Sequence, residues 1–194
     1  MDSTRTVSPN ALLGLRSDRV AAQIFWIVSF ALFTAIGARL EIPHHPVPYT
    51  FQTLVVILAG GLLGSRNGFI SMTLYLGLGI AGLPVFSGGG FGLAKLLGPT
   101  GGYLLSFPVA AYVVGAVVSS PVFGIRGRIF SYFLTMGAMA AGLLVVFVVG
   151  TTQLNAVFFH DWNLAFQSGF LIFSPWDVLK LIAATTICWE IRRR

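Results

Sequence analysis

The sequence predicts an all-α integral membrane protein, a bundle of six transmembrane helices with long extracytoplasmic loops. Three observations carry the prediction. Of 194 residues, 56% are apolar and only 9% charged, against about 25% charged in an ordinary soluble domain. The 12 basic and 6 acidic side chains cannot cover the surface of a compact water-soluble fold, so lipid must be the solvent for much of the chain. Apolar runs long enough for helices recur along the sequence, separated by basic, Gly-rich or Pro-rich breaks. The basic residues fall almost wholly into alternate breaks, as the positive-inside rule requires of a multi-pass chain.

The net charge of +6 does not indicate nucleic acid, because the basic residues form short clusters between apolar runs and no continuous stripe. Cys188 is the sole cysteine, which excludes an intrachain disulfide, a thiolate zinc site and a C-x-x-C redox pair. No metal and no cofactor are expected.

Residues 1–20 are polar and carry Arg5, Pro9, Arg16 and Arg19, which reads as a cytoplasmic tail lying outside the bundle. Arg16 and Arg19 followed by an apolar stretch ending near Ala35-Ile36-Gly37 also have the outline of a signal peptide, against which a first helix over 21–38 is preferred. Residues 39–49 contain Pro43, Pro46 and Pro48, each of which removes a backbone donor and pushes its predecessor out of helical geometry. From 51 to 83 the chain is apolar except at Ser65-Arg66-Asn67, so two short helices joined by a turn at those residues are expected. The stretch 82–103 holds seven glycines between Gly88 and Gly102 together with Pro84 and Pro99, a density that predicts a long loop. Helix four follows over 103–120, a turn with Arg126 and Arg128 over 121–128, and helix five over 129–150. A Phe-rich connection is expected over 151–174 and helix six over 175–189. The membrane domain is thus set at 21–191, with 192–194 as a basic cytoplasmic tail.

One side of the bundle collects Arg5, Arg16, Arg19, Arg66, Arg126, Arg128 and the three terminal arginines, and the other only Arg39 and Lys95. Both termini should be cytoplasmic. The Pro-rich, Gly-rich and Phe-rich connections then share the outer face, and irregular backbone at membrane depth is tolerated only where protein or a cavity buries it. A lidded, outward-facing pocket is the implied architecture.

Asp177 and Lys180 stand three apart in the last helix, on one face, as the only acid and base well inside an apolar segment. Intramembrane charges are costly and point to function; an apolar pair would serve a purely structural role more cheaply. A carboxylate accepts from N–H groups and an ammonium donates to a carbonyl oxygen, so the pair suits a cyclic urea or amide. Gly77-Leu78-Gly79-Ile80-Ala81-Gly82 spells G-x-G-x-x-G, but without a preceding strand or a following acid it reads as helix packing and not as dinucleotide binding. Gly98-Pro99-Thr100-Gly101-Gly102 lacks the G-K-[ST] ending of a phosphate loop, so the chain itself should not hydrolyse nucleotide. Ala31, Ala35 and Ala38 make a small-residue stripe suited either to internal packing or to a partner helix. His44 and His45 read as solvated loop residues. No H-E-x-x-H, G-x-S-x-G or paired-carboxylate motif supports catalysis.

Several segments together resemble the BioY family: Pro46-Val47-Pro48-Tyr49-Thr50-Phe51-Gln52-Thr53, Gly82-Leu83-Pro84-Val85-Phe86, Gly98-Pro99-Thr100-Gly101-Gly102-Tyr103 and Asp177-Val178-Leu179-Lys180. The resemblance spans residues 20 to 190 in order and spacing. It implies a biotin-binding substrate-capture subunit of energy-coupling factor vitamin importers, in the bacterial cytoplasmic (inner) membrane. Its implied partners are a transmembrane coupling subunit and two ATPases, although some members of the family are thought to work alone. Carried over residue by residue, it implies that Asp177 and Lys180 meet the biotin ring, with Thr50, Gln52, Phe86, Ser87 and Tyr103 around it. It also implies that Ala31 and Ala35 face the coupling partner. The remaining readings are capture of another small vitamin, an intramembrane enzyme using Asp177 or His160, and a structural scaffold.

Overall fold

The computed structural model describes residues 19–120, 128–171 and 175–193. The expected N-terminal tail, except its last two residues, and the turn carrying Arg126 lie outside the described residues. The described residues open with α1 (Val20–Arg39), then a two-stranded hairpin of β1 (Glu41–Ile42) and β2 (Tyr49–Thr50), then α2 (Gln52–Leu63) and α3 (Ser65–Ile80). A 3-10 turn at Ser87–Gly89 and the short α4 (Gly92–Leu97) lead into α5 (Gly101–Val118). The long α6 (Arg128–Leu154) is extended by a π turn at Asn155–Phe159. The one-turn α7 (Trp162–Ala165) and a second π turn at Phe166–Phe170 precede α8 (Pro175–Arg193).

Among the described residues, three helical stretches are long and apolar enough to cross a membrane: α1, α5, and α6 with its extension to Phe159. The 12 residues of α2 and 16 of α3 give lengths of about 18 and 24 Å, short of a hydrocarbon core of about 30 Å. The turn between them is not at Ser65-Arg66-Asn67, which already belong to α3. It is Gly64, whose φ of 84° lets the chain reverse in a single residue where a side chain would be strained.

The core is built around α5. Its Tyr103, Leu104, Phe107, Ala110, Ala111, Val114 and Val118 are buried, enclosed by α2, α3 and α6. Small residues let the backbones touch: a Cβ on Gly60 of α2 would run into the Ala111 carbonyl oxygen of α5. Packing of α1 uses the same device. Ala31 is 1% exposed, Ala38 is buried and Ala35 is half-buried against the core, and nearby Ser71 of α3 donates to the Ile27 carbonyl at 2.7 Å. Of the stripe expected to face a coupling partner, Ala31 and Ala38 turn inward and Ala35 keeps a half-exposed face. Ala31 is spent on this chain's own bundle, and the exposed side of α1 carries Leu32, Phe33 and Ile36 instead.

Two other connections are more helical than the sequence predicts. Helix α6 and its π turn continue through most of the first half of the expected 151–174 loop, where two of the polar side chains, Thr152 and Gln153, find acceptors without breaking the helix. Thr152 donates back to the Val148 carbonyl at 2.8 Å, and Gln153 reaches across to the Leu96 carbonyl at 2.7 Å. The Gly-rich stretch is not a bare loop either; it holds α4, and α5 starts at Gly101. At the opposite end of the bundle Arg192, expected in a tail, is part of α8. It donates to the Gly61 carbonyl at 3.2 Å and the Val118 carbonyl at 2.8 Å. These carbonyls lie in the last turns of α2 and α5, where no intrahelical donor remains.

Candidate functional site

The hairpin, the Gly-rich segment, the end of α6 and the start of α8 gather at one end of the bundle. Cross-links show this directly. Arg39 donates to the Pro84 carbonyl, and the Gly88 amide donates to Glu41 Oε2 at 3.1 Å. Tyr103 donates to the Gly169 carbonyl at 3.0 Å, and Lys180 reaches the Thr50 carbonyl at 3.0 Å. Beneath this end lies a cavity of about 60 Å³.

Its polar wall is α8 and the start of α2. Asp177 and Lys180, one turn apart, point inward together and are 3% and 7% exposed. Lys180 Nζ lies 2.6 Å from Asp177 Oδ1, and it also donates to the Thr50 carbonyl and, at 2.9 Å, to Thr53 Oγ1. Three acceptors match the three N–H bonds of an ammonium. The ammonium is thus held in a fixed place, with the Asp177 carboxylate oriented beside it. Such a pair in a low-dielectric interior persists only when its hydrogen bonds are satisfied in this way.

The adjoining wall comes from the start of α2. Gln52, at the head of the helix, is buried. Its Oε1 accepts from the Thr50 hydroxyl at 3.0 Å and its Nε2 donates to Tyr75 Oη. Tyr75 in turn donates to the Val85 carbonyl at 3.0 Å. This relay connects the cavity wall to the segment carrying Ser87, which also lines the cavity. The apolar wall is Tyr103, Leu104 and Phe107 of α5 with Val146 and Phe147 of α6.

Of the seven residues predicted to meet ligand, six line this one cavity: Thr50, Gln52, Ser87, Tyr103, Asp177 and Lys180. Phe86 does not. It is fully buried, edge-on to Tyr75 at 5.5 Å between ring centroids, and packs so tightly on Gly79 that a Cβ there would overlap its ring. Phe86 props the wall from behind. The glycines of the apparent G-x-G-x-x-G include this contact, which accounts for Gly79 by packing.

Sequence reasoning did not single out Thr53, Phe107, Phe147 or Tyr75. Thr53 could have been found, since it stands next to Gln52 in the hairpin motif. The aromatic residues could not, because nothing distinguishes them from other apolar residues of their helices. Thr151 Oγ1 near the end of α6 and Asn155 Oδ1 at the start of the π turn, four residues apart, are buried with no hydrogen-bond partner among the described residues. Thr151 lies beside the Tyr103–Gly169 contact, 3.1 Å from where a Cβ on Gly169 would stand. Among the described residues no cluster of His, Cys, Asp and Glu could hold a metal ion.

A family model described as the BioY family matches residues 7–194. The chain is similar to a probable biotin transporter BioY of Pyrococcus horikoshii, 36% identical over 172 residues that cover 89% of this chain and 97% of that one. It is similar also to the biotin transporter BioY of Thermotoga maritima, 34% identical over 170 residues covering 86% and 95% of the two chains. Among solved structures it resembles the S-component for biotin from an ECF-type ABC transporter. The TM-score is 0.80 at 27% identity, with 92% of this chain and 94% of that one covered. Match over nearly the whole length, by sequence and by fold, makes this chain a member of the BioY family.

Proposed function

We propose that this chain is a membrane subunit that captures biotin with high affinity and mediates its uptake, alone or with an energy-coupling factor ATPase module. The observation that carries the reading is the buried Asp177–Lys180 pair set against an aromatic wall in one cavity. A ureido ring presents two N–H donors and one carbonyl acceptor. The Asp177 carboxylate takes the donors, and the ammonium beside it offers a proton to the carbonyl. Because Lys180 already has three acceptors, ligand binding exchanges one of them, and the rotatable Thr53 hydroxyl is the easiest to release. Tyr103, Phe107 and Phe147 cover the apolar ring. Names of the relatives and of the solved neighbour support biotin as the ligand, and transport leaves the substrate chemically unchanged.

The same reading assigns residues 21–191 to one membrane domain in which α1, α2, α3, α5, α6 and α8 fill the bilayer, the short α2 and α3 ending against locally thinned or protein-covered backbone. The cavity end faces outward and both termini face the cytoplasm, as the basic residues require. Coupling partners in this reading are a transmembrane subunit and two ATPases; without a phosphate-binding loop in this chain, ATP-driven release depends on them. The decisive measurement is mass spectrometry of ligand extracted from the purified protein. Biotin should be recovered at near one equivalent; recovery of another vitamin would transfer the reading to that ligand.

A further inference from the structure

Away from the cavity, a groove of about 500 Å³ runs between α3 and α5 and is lined by Arg66, Phe69, Ile70, Val109 and Tyr112. Phe69, Ile70, Val109 and Tyr112 are all exposed. Arg66 is exposed, and neither its guanidinium nor the Tyr112 hydroxyl has a hydrogen bond or ion pair with the other described residues. The groove has a polar and an apolar end. Arg66 sits in the first turn of α3, directly after the Gly64 reversal, at the end of the bundle where Arg192 binds the closing carbonyls of α2 and α5. Along α5, Tyr112 lies about 9 Å and Val109 about 14 Å back from Val118 toward the middle of the bundle, at 1.5 Å per residue.

A guanidinium at the membrane face, a phenol next, then only hydrocarbon is the polarity profile of a phospholipid. We propose that this groove binds one anionic phospholipid of the cytoplasmic leaflet. Arg66 and the Tyr112 hydroxyl hold its phosphate, and Phe69, Ile70 and Val109 hold an acyl chain. Basic pockets between helices on that side are the usual recognition mode for anionic headgroups, and the guanidinium fork matches phosphate oxygens in pairs. A protein partner fits less well, because five side chains fall far short of the roughly 20–30 residues a side of a standard interface.

The test is native mass spectrometry of the full-length protein exchanged into mixed vesicles of phosphatidylglycerol and phosphatidylcholine, then released into detergent. Wild type should retain one phosphatidylglycerol in preference to phosphatidylcholine. Arg66→Gln should reduce that preference by about fivefold, the scale of one interfacial cation, while Arg66→Lys keeps most of it. Val109→Trp, which fills the groove, should lower retention of both lipids. Arg19→Gln, at the same end but outside the groove, should leave retention unchanged, and melting curves on every variant exclude misfolding as the cause. Equal loss with Arg19→Gln and Arg66→Gln, or unchanged preference in Arg66→Gln, overturns the proposal. So does a dimer that Val109→Trp dissociates, since that would put a second protein chain in the groove.

Discussion

Lys180 Nζ donates to the Thr53 hydroxyl at 2.9 Å, tying α8 to α2 across 127 positions of sequence. Replacing Thr53 by Val keeps the shape and removes the acceptor. A hydrogen bond to a charged group contributes about 1.5–3 kcal/mol, so Thr53→Val should lose stability of that order in a detergent unfolding titration. Thr53→Ser should retain it. Equal stability of the Val and Ser variants would mean that the ammonium does not depend on this hydroxyl.

Asp177→Asn and Lys180→Met should each weaken biotin binding roughly tenfold or more, about 1.5–3 kcal/mol for a lost charged hydrogen bond. A purely structural pair behaves differently: each single change strands a buried charge, whereas the double change restores stability and leaves binding intact. Affinity and melting temperature measured on the same three variants separate these cases. Full recovery of biotin binding in the double variant would sink the ligand role of the pair.

Tyr75→Phe preserves the ring contacts with Phe86 and Phe107 but leaves the Gln52 amide without its acceptor and the Val85 carbonyl without its donor. The expected loss is about 1–3 kcal/mol for stranded buried groups. It should be accompanied by faster amide exchange at Phe86 and Gly90, whose backbone hydrogen bonds close the adjoining turn. Unchanged exchange there would show that the relay from Gln52 does not hold the segment carrying Ser87.

Arg192→Met strands the Gly61 and Val118 carbonyls at the other end of the bundle. A stability loss of about 2 kcal/mol is expected, with biotin affinity nearly unchanged because the cavity is at the far end. A large loss of affinity at unchanged melting temperature would connect the two ends in a way this packing does not.

Orientation can be read by labelling intact cells with a membrane-impermeant thiol reagent. The native Cys188 is buried and should stay silent. Cysteine placed at the exposed His44 or His160 should react, and cysteine at Arg66 should not. The reverse pattern would turn the cavity toward the cytoplasm.

Composition, spacing of apolar runs and segregation of arginines were enough to predict a helical membrane bundle, because they record the solvent each segment requires and need no knowledge of partners. The Asp177–Lys180 pair was legible for the same reason: two charges in an apolar helix are conspicuous wherever the helix lies. Two helix boundaries were misplaced by local chemistry. Gly64 alone makes the turn assigned to Ser65-Arg66-Asn67, and Thr152 and Gln153 stayed helical, finding acceptors that the sequence does not display. Which face of a uniformly apolar helix turns inward was beyond the sequence, since periodicity carries no signal when lipid and core are equally apolar. Tertiary packing alone decided that Ala31 is buried, that Phe86 stands behind the cavity wall, and that Thr53, Phe107 and Phe147 stand on it. Each of those placements is set by close contact between helices, and contact depends on partners far away along the chain.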